Sequence, residues 1–353
     1  MYGQVVIGPP GAGKSTYCHG MYQFLSAIGR KSSIINLDPA NDRLPYPCDL
    51  DIRDYISLDD VMNELNLGPN GGLMFAMESL IVNGIELFLS KVKKLVDERS
   101  YLLFDCPGQI ELFTHHGALH KIFNTLTKQA KLRLCVVSLV DSIYLTSPSQ
   151  YISILLLSLR SMLQLELPQV NVISKIDLLK GYGPLPFRLD YYTEVQDLNY
   201  LTPYLEKESN SVLGKKYVRL TQLIGELVEE YHLVAFEVLF VEDKQSMINL
   251  LSVIDKANGY SFGSEVGGDT IWNEAIRQGG SVGVQEVDIH ERWIDEKEKF
   301  DKEEEKRRNA VNEEEEAMDI DKQDVDENVE DAEWQAALRD WEETRGGNGA
   351  MNR

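Results

Sequence analysis

Residues 4–16 read QVVIGPPGAGKST, and this stretch decides the fold. The apolar, β-branched residues at 5–7 predict a buried strand, and residues 8–15 fit the pattern GxxxxGK[ST]. The sequence STYCHGMYQFLSAIG that follows predicts a helix. In a strand, glycine-rich turn and helix of this order, successive backbone N–H groups turn inward around an anion, and the helix directs its positive end at that anion. The stretch therefore predicts a phosphate-binding loop.

Each residue type in this loop has a separate chemical task. The glycines let the backbone approach a phosphate closely, Lys14 adds a mobile positive charge, and the Ser15 hydroxyl can bind Mg²⁺. We therefore expect the nucleotide phosphates to contact Gly11, Ala12, Gly13, Lys14, Ser15 and Thr16.

Short apolar runs recur along the chain and predict further strands. They are QVVIG near residue 4, SSIINL at 32, YLLFD at 101, LRLCVVSLV at 132, QVNVIS at 169 and LVAFEVLFV at 233. Successive runs are separated by enough chain for at least one helix, which favours right-handed crossovers and a mostly parallel sheet. The predicted fold is α/β and doubly wound, with a helical insertion at about residues 181–232.

The charge of the chain is strongly negative and unevenly distributed. The 353 residues carry a net charge of −22, and residues 291–353 alone hold 23 acidic and 11 basic side chains. Proteins that bind nucleic acid directly usually present a basic surface, so this balance argues against that function. We expect a folded domain over residues 1–260 and a C-terminal extension, mostly acidic and disordered, over residues 261–353.

The cysteines and the apolar runs indicate the cellular environment. The four cysteines form no CxxC pair and have no histidine at metal-ligand spacing, so we expect reduced thiols without disulfides or a zinc site. The longest apolar run considered, ISILLLSL, is far shorter than the roughly 18 residues of a membrane span. These features predict a soluble intracellular protein that has no membrane partner.

The stretch YLLFDCPGQIELF, residues 101–113, supplies the second half of a phosphate site. Asp105 ends an apolar strand, where a carboxylate is costly unless it faces a cation, so we predict that it holds Mg²⁺ together with Ser15. Gln109 is placed to orient an attacking water molecule, and Glu111 could assist it. Both residues fit an ordinary helix N-terminus equally well, because acidic side chains are favoured in the first turn.

Asp38 closes the SSIINL strand and is a further carboxylate at a strand end. In a doubly wound sheet, ligands lie beyond the carboxyl ends of the strands, so Asp38 is a candidate to contact Mg²⁺ or a water molecule near the γ-phosphate. The alternative is an aspartate that anchors its own loop by capping the backbone.

A phosphate loop does not distinguish ATP from GTP, and residues 174–177, SKID, are the candidate for reading the base. The Asp177 carboxylate can accept hydrogen bonds from both the N1–H and the 2-amino group of guanine, a pair of donors that adenine lacks. The stem of Lys175 would pack over the base. The segment resembles the [NT]KxD guanine signature, with Ser174 where Asn or Thr is usual, so one orienting hydrogen bond is expected to be weaker. A plain strand-to-helix turn is the alternative reading.

Residues 68–72, GPNGG, contain more turn-forming residues than a change of chain direction requires. Together with the phosphate loop, the Asp105 segment and the SKID segment, Gly68-Pro69-Asn70 closely resembles the motif set of the GPN-loop GTPases over residues 1 to about 260. The resemblance implies a P-loop domain of the dimerising class related to signal-recognition and MinD-like proteins. It also implies that Asn70 acts in trans, near the phosphates of the partner protomer. Without the resemblance, this segment reads as an interhelical turn with no ligand.

The resemblance implies a function as well. A member of this family is expected to hydrolyse GTP to GDP with Mg²⁺ and to form a homodimer or a heterodimer with paralogous GPN-loop GTPases. It is expected to act as a nucleotide switch in RNA polymerase II assembly and nuclear import, through the polymerase subunits or assembly factors, and to be cytoplasmic with shuttling to the nucleus. Two alternatives stay open: a nucleotide-binding scaffold with negligible hydrolysis, and a P-loop kinase of a small molecule, which does not account for the SKID and GPN segments.

Overall fold

The computed structural model describes residues 1–41, 43–208, 212–260, 293–294, 299 and 302, and for residues 212–216 it describes the backbone alone. Residues Met1–Ile294 form one compact unit. The acidic extension predicted over residues 261–353 lies outside the described residues, apart from those four positions.

Seven parallel strands form one sheet across the described part of the chain. They are β1 Tyr2–Ile7, β2 Ser32–Asn36, β3 Leu50–Asp51, β4 Tyr101–Asp105, β5 Arg133–Asp141, β6 Gln169–Ser174 and β7 Phe236–Val238. Their order across the sheet is β3-β2-β4-β1-β5-β6-β7. All six predicted strands are present, which confirms the α/β, doubly wound fold. The additional strand β3 has two residues, too few for a hydrophobic pattern to predict.

Helices connect the strands and cover both faces of the sheet. They are α1 Lys14–Ala27, α2 Leu58–Leu65, α3 Pro69–Ser79, α4 Ile85–Asp97, α5 Ile110–Thr114, α6 Ala118–Gln129, α7 Pro148–Leu165, α8 Leu179–Tyr182, α9 Leu189–Glu194, α10 Thr202–Glu208, α11 Val212–Tyr231 and α12 Lys244–Asn258. A π-helical turn, Leu80–Gly84, joins α3 directly to α4.

The central strand β1 contributes to a core on each face of the sheet. Val5 and Ile7 belong to a hydrophobic cluster with residues of α3, α4, α5 and α6, whereas Val6 belongs to a second cluster with residues of α1 and α12. A strand that is buried on both faces has a continuous apolar sequence. This burial gives the loop that follows Ile7 a rigid support.

The segment predicted as a helical insertion, residues 181–232, contains α9, α10 and α11 and packs at one end of the sheet. Tyr192 of α9 and Val228 of α11 share a third hydrophobic cluster with Tyr151 of α7 and Ile173 of β6. These helices therefore cover the side of the sheet that carries β6 and β7.

The continuous helical run Pro69–Asp97 is long and apolar enough to cross a membrane by length and composition alone, and it is the one such helix among the described residues. Core helices of soluble proteins pass the same test. Leu73 and Phe88 of this run are buried in the first core. Val82 and Leu87, on the other hand, are 77% and 57% exposed. The run therefore has one buried face and one uncovered apolar face.

Gly8 is the first residue after β1, and a substitution there measures how closely the start of the phosphate loop packs against β5. Its φ is +148°, and a Cβ atom there would lie 2.3 Å from the backbone oxygen of Leu139 in β5. We expect Gly8→Ala to lower the free energy of unfolding by about 2–4 kcal/mol, because a backbone clash adds to an unfavourable φ. Urea unfolding followed by circular dichroism measures this change.

Gly181→Ala in α8 is the matched control, since an added Cβ there meets open space. We expect it to change the free energy of unfolding by less than about 0.5 kcal/mol. Equal losses in the two variants would contradict the prediction.

Candidate functional site

The phosphate loop, residues 8–15, forms an open cradle at the carboxyl end of β1. Gly11 and Gly13 have φ of +79° and +89°, and a Cβ atom at either position would meet nothing within 4 Å. The N–H of Ala12 donates to the oxygen of Pro9 at 3.2 Å and closes the turn. Because α1 begins at Lys14, its positive end faces this cradle. The geometry fits the predicted binding of nucleotide phosphates.

Lys14 lies inside the site, close to two carboxylates. Its Nζ donates to the oxygen of Pro9 at 3.3 Å. Burial lowers the pKa of Lys14, and the nearby charges of Asp105 and Asp38 oppose that shift. A Cβ atom at Gly108 would lie 2.9 Å from the Lys14 Nζ, so this glycine leaves room for the ammonium group.

Asp105 is brought to the phosphate loop by the pairing of β4 with β1, in which Val6 lies opposite Asp105. The residue is 1% exposed. Its Oδ2 accepts hydrogen bonds from the Ser15 Oγ at 2.8 Å and from the Tyr46 hydroxyl at 2.7 Å. Burial raises the pKa of Asp105, and the hydrogen bonds from Tyr46 and Ser15 and the charge of Lys14 partly offset this effect.

The second oxygen of Asp105 indicates what the site can bind. Oδ1 is buried, and within the described residues it has no hydrogen-bond partner. A buried carboxylate oxygen without a donor is costly unless a ligand satisfies it. The described residues contain no group of three or more His, Cys, Asp and Glu side chains that could hold a metal alone. One carboxylate and one hydroxyl fit Mg²⁺, which takes its other ligands from water and phosphate oxygens.

Asp38 lies at the same edge of the sheet and takes the loop-anchoring role that the sequence offered as one alternative, whereas its contact with Mg²⁺ or a water molecule stays a prediction. Its Oδ1 accepts from the N–H of Ala40 at 2.9 Å, which anchors the start of its loop. Burial raises the pKa of Asp38, with the Ala40 hydrogen bond and the Lys14 charge acting in the opposite direction. The carboxylate is therefore both a loop anchor and a charged neighbour of the phosphate-binding lysine.

The GPN segment differs from the open turn that the sequence suggested. Gly68 caps helix α3, and Pro69 and Asn70 form its first turn. Proline fits the first position of a helix because its missing N–H would have no helical partner there. The change of direction occurs instead at residues 66–67, where Asn66 takes a left-handed conformation at the end of α2.

The structure brings Asn70 and Gln109 together within one chain. The Gln109 Nε2 donates to the Asn70 Oδ1 at 2.6 Å, across 39 positions of sequence. Gln109 Oε1 is buried and has no partner within the described residues, so it is an acceptor available to a water molecule. Glu111 lies in the first turn of α5 with its side chain exposed, as an ordinary helix N-terminus would place it.

The SKID segment, residues 174–177, is tied directly to the phosphate loop. The Ser174 Oγ lies 2.8 Å from the oxygen of Ala12 and 3.1 Å from the oxygen of Val140. The hydroxyl donates its one proton to one of these two carbonyl oxygens, so Ser174 orients the segment against its neighbours. The weaker bond expected from the [NT]KxD comparison stays a prediction. The Lys175 Nζ forms an ion pair with the Asp141 Oδ2 at 2.7 Å, which holds the lysine stem at the end of β6.

Asp177 follows Lys175 in a short 3₁₀ turn and is half-buried. The N–H of Ile176 donates to the oxygen of Leu239 at 3.5 Å. This contact places the segment after β7, which begins at Leu239, beside the SKID segment.

Tyr46 is the functional candidate that sequence reasoning missed. It lies in irregular chain between Asp38 and β3, and it is 5% exposed. Burial raises the pKa of the Tyr46 phenol, so this group keeps its proton and donates to Asp105. The signal in the sequence is an aromatic residue enclosed by two prolines, LPYPC, in an otherwise polar stretch.

Comparison with known proteins matches most of the chain. A family profile described as a conserved hypothetical ATP binding protein matches residues 6–260. GPN-loop GTPase 2 of Saccharomyces cerevisiae is 62% identical over 98% of this chain and 98% of the relative. GPN-loop GTPase 2 of Schizosaccharomyces pombe is 52% identical over 85% and 93%, and that of Danio rerio is 52% identical over 74% and 82%.

Among solved structures, the chain is similar to a crystal structure of a GTPase in apo form from Pyrococcus abyssi. The TM-score is 0.58 at 24% identity, over 74% of this chain and 98% of the other. A likeness at this level of identity supports the shared fold.

The buried Asp105 carboxylate predicts a cost in stability that depends on pH. Because its folded pKa is raised, the unfolded chain ionises this group at a lower pH than the folded chain does. Folding stability therefore falls as the pH rises from the ordinary aspartate range through the folded pKa. In the absence of nucleotide and Mg²⁺, we expect Asp105→Asn to raise the free energy of unfolding at pH 7, because the amide has no charge to bury.

Urea unfolding between pH 4 and pH 7.5 measures this difference, which should shrink as the pH falls and the wild-type carboxyl becomes neutral. Asp59→Asn, at an exposed position in the first turn of α2, is the control and should show no gain, because a negative charge is favourable at a helix N-terminus. A loss of stability in Asp105→Asn at pH 7 would contradict the stated cost of burial.

Proposed function

We propose that this chain, which belongs to the GPN-loop GTPase family, works as a Mg²⁺-dependent GTPase in a dimer whose nucleotide state controls the binding of client proteins. Its membership makes it a GTPase that binds guanine nucleotides. The metal, the dimer and the clients are the proposal, and each is supported by a separate feature of the molecule.

The buried Asp105 carboxylate is the observation that carries the proposal. Its Oδ2 is bonded to Ser15 of the phosphate loop, and its Oδ1 is buried without a partner in the described part of the chain. When Mg²⁺ is held by Ser15 and, through water, by Asp105, it would neutralise charge on the phosphate oxygens. Lys14 provides the second positive charge at the same place.

In the proposed hydrolysis, the oxygen of a water molecule bonds to the γ-phosphorus and the bond to the β–γ bridging oxygen breaks. GDP leaves with that oxygen, and the water proton passes to phosphate or solvent. The unpartnered Gln109 Oε1 is the acceptor that would orient the water molecule. In the single chain the Nε2 of the same amide donates to Asn70, a contact that Asn70 would give up to reach the partner protomer. Arg53 is bonded to Asp51 and the Asn41 oxygen, so charge stabilisation rests mainly on Mg²⁺ and Lys14.

An uncovered apolar surface around the GPN segment supports dimerisation. Its members lie on α2, the turn that follows it, α3, the π turn and α4, and each is at least one-third exposed: Leu65, Leu67, Phe75, Val82 and Leu87. Apolar side chains grouped in this way commonly mark protein contacts. A second protomer that covered this surface would meet Asn70 at the same time.

The proposed clients are RNA polymerase II subunits or assembly factors, with a cytoplasmic location and shuttling to the nucleus. This part rests on family resemblance. Two features favour a protein partner over nucleic acid. The first is the net charge of −22. The second is a set of exposed apolar side chains that recur every three or four residues on α11: Tyr217, Leu220, Leu223, Leu227 and Tyr231. No basic surface is needed for such contacts.

Guanine selectivity is tested by calorimetric titration with slowly hydrolysed analogues of GTP and ATP in the presence of Mg²⁺. We expect a clear preference for the GTP analogue, and we expect Asp177→Ala to weaken its binding about 100-fold, because two hydrogen bonds to a charged acceptor are lost. Binding of the ATP analogue should not change. Asp97→Ala is the control, and equal binding of both analogues by the wild type would contradict the proposed reading of guanine.

The role of Asn70 is tested by GTP turnover measured across a wide range of protein concentration. If Asn70 acts on the partner protomer, Asn70→Ala should lower kcat about 10- to 100-fold, and only at concentrations where the dimer forms. Asn249→Ala is a matched control, because Asn249 is also exposed and accepts a hydrogen bond from a glutamine, Gln245, at 3.0 Å. A loss that is the same at all concentrations would assign Asn70 to the Gln109 of its own chain.

A further inference from the structure

Tyr46 is a buried residue whose position is fixed from two directions. Pro45 and Pro47 flank it, and each proline restricts the backbone of its neighbourhood. The Tyr46 ring belongs to the hydrophobic cluster that also contains Ala12 of the phosphate loop and Cys18 of α1. The ring is therefore held beside the phosphate loop by packing, before any ligand is bound.

The hydroxyl of this fixed ring reaches the carboxylate at the centre of the site. It donates to the Asp105 Oδ2 at 2.7 Å, and Ser15 donates to the same oxygen at 2.8 Å. Two donors on one oxygen restrict rotation of the carboxylate about its Cβ–Cγ bond. The other oxygen, Oδ1, is thereby left as the one available to an ion or its water ligands.

Ser15 and Tyr46 share this task, but they differ in their relation to the ion. The Ser15 oxygen is the expected ligand of Mg²⁺, so the position of its hydroxyl changes with the ion even though its proton can still be donated to Asp105. Tyr46 is not an expected ligand of the ion, so its hydrogen bond to Asp105 holds the carboxylate whether or not Mg²⁺ is bound.

We propose that Tyr46 is a positioning residue for the Mg²⁺ site, acting through Asp105 to hold the carboxylate in the orientation that receives the ion. The inference rests on the proposed Mg²⁺-dependent function and adds a residue to it. Tyr46 also belongs to the chain between Asp38 and β3, so the same hydrogen bond joins this segment to the ion site.

The flanking structure explains why the segment can hold Tyr46 in place. On its β3 side, the Asp49 N–H donates to the Ile34 oxygen at 3.0 Å, and the Ile34 N–H donates to the Asp49 Oδ2 at 3.2 Å. On its β2 side, the Asp38 N–H donates to the Oδ1 of Asn36, the last residue of β2, at 3.0 Å. The segment is thus fastened to β2 at both ends, with Tyr46 between them.

The test is the affinity of Tyr46→Phe for GDP and for a slowly hydrolysed GTP analogue, measured by calorimetry across a series of Mg²⁺ concentrations and in EDTA. We expect the Mg²⁺ concentration that gives half of the full affinity to rise about tenfold, the size of effect expected for one hydrogen bond to a charged group. Affinity in EDTA should be unchanged, because the phosphate loop itself is intact. Phenylalanine keeps the buried ring, and thermal unfolding of each variant checks that it is folded.

Tyr151→Phe is the matched control, because the Tyr151 hydroxyl is also buried and donates a hydrogen bond, to the oxygen of Tyr192 at 2.9 Å. It should leave the Mg²⁺ requirement unchanged. As a second variant, Tyr46→Phe is added to Asp105→Asn. If Tyr46 acts through Asp105, the added substitution should leave the Mg²⁺ response of Asp105→Asn as it was.

Three outcomes overturn the inference in distinguishable ways. An unchanged Mg²⁺ requirement in Tyr46→Phe removes the role of Tyr46 and leaves the Mg²⁺-dependent function intact. An equal loss of affinity in EDTA and in Mg²⁺ shows that the residue supports the phosphate loop only structurally. A wild-type chain whose nucleotide affinity does not depend on Mg²⁺ overturns the proposed metal dependence itself.

Discussion

The Asp105 carboxylate is a charged group placed where water does not reach it, and the arrangement of the nucleotide site depends on this constraint. The end of β4 is buried because β1 and β2 pair with it on either side. An isolated carboxylate in such a position would be expelled or neutralised. It is retained here because Ser15 and Tyr46 donate to one oxygen and Lys14 lies nearby. Among the described residues the other oxygen has no hydrogen-bond partner, which favours the binding of a cation.

The sheet order explains why distant segments meet at this carboxylate. The parallel strands β1, β4 and β6 end at the same edge, so the phosphate loop, Asp105 and the SKID segment converge there. The hydrogen bond from the Ser174 Oγ to the oxygen of Ala12, at 2.8 Å, joins the SKID segment to the phosphate loop. A nucleotide that fills both places would therefore bind to a single rigid unit, supported by β1, which is buried on both faces.

The GPN segment connects this rigid unit to an exposed surface. Asn70 lies in the first turn of α3, and its Oδ1 accepts a hydrogen bond from Gln109. Gln109 follows Asp105 by four residues in the sequence. The same helical run carries the uncovered apolar side chains of α3 and α4. If Gln109 moved on hydrolysis, the hydrogen bond between Gln109 and Asn70 would transmit the movement to α3, which carries part of that surface. This placement gives a physical route by which nucleotide state and protein contacts could influence each other.

The sequence by itself determined the fold class and the main chemical segments. The six longer strands, the phosphate loop and the Asp105 and SKID segments are contiguous patterns, so local spacing of apolar residues and glycines is enough to reveal them. It did not reveal that Pro69 and Asn70 begin a helix, because glycine and proline are typical of both turns and helix starts.

Only the tertiary structure decided which side chains meet. Tyr46 and Asp105 are 59 positions apart, Asn70 and Gln109 are 39 apart, and Asp141 and Lys175 are 34 apart. No periodic pattern links residues at such distances, since their contact depends on strand order and on the path of the loops between them. The sequence therefore determined which groups were available for catalysis, whereas packing of the sheet determined which of them act on one another.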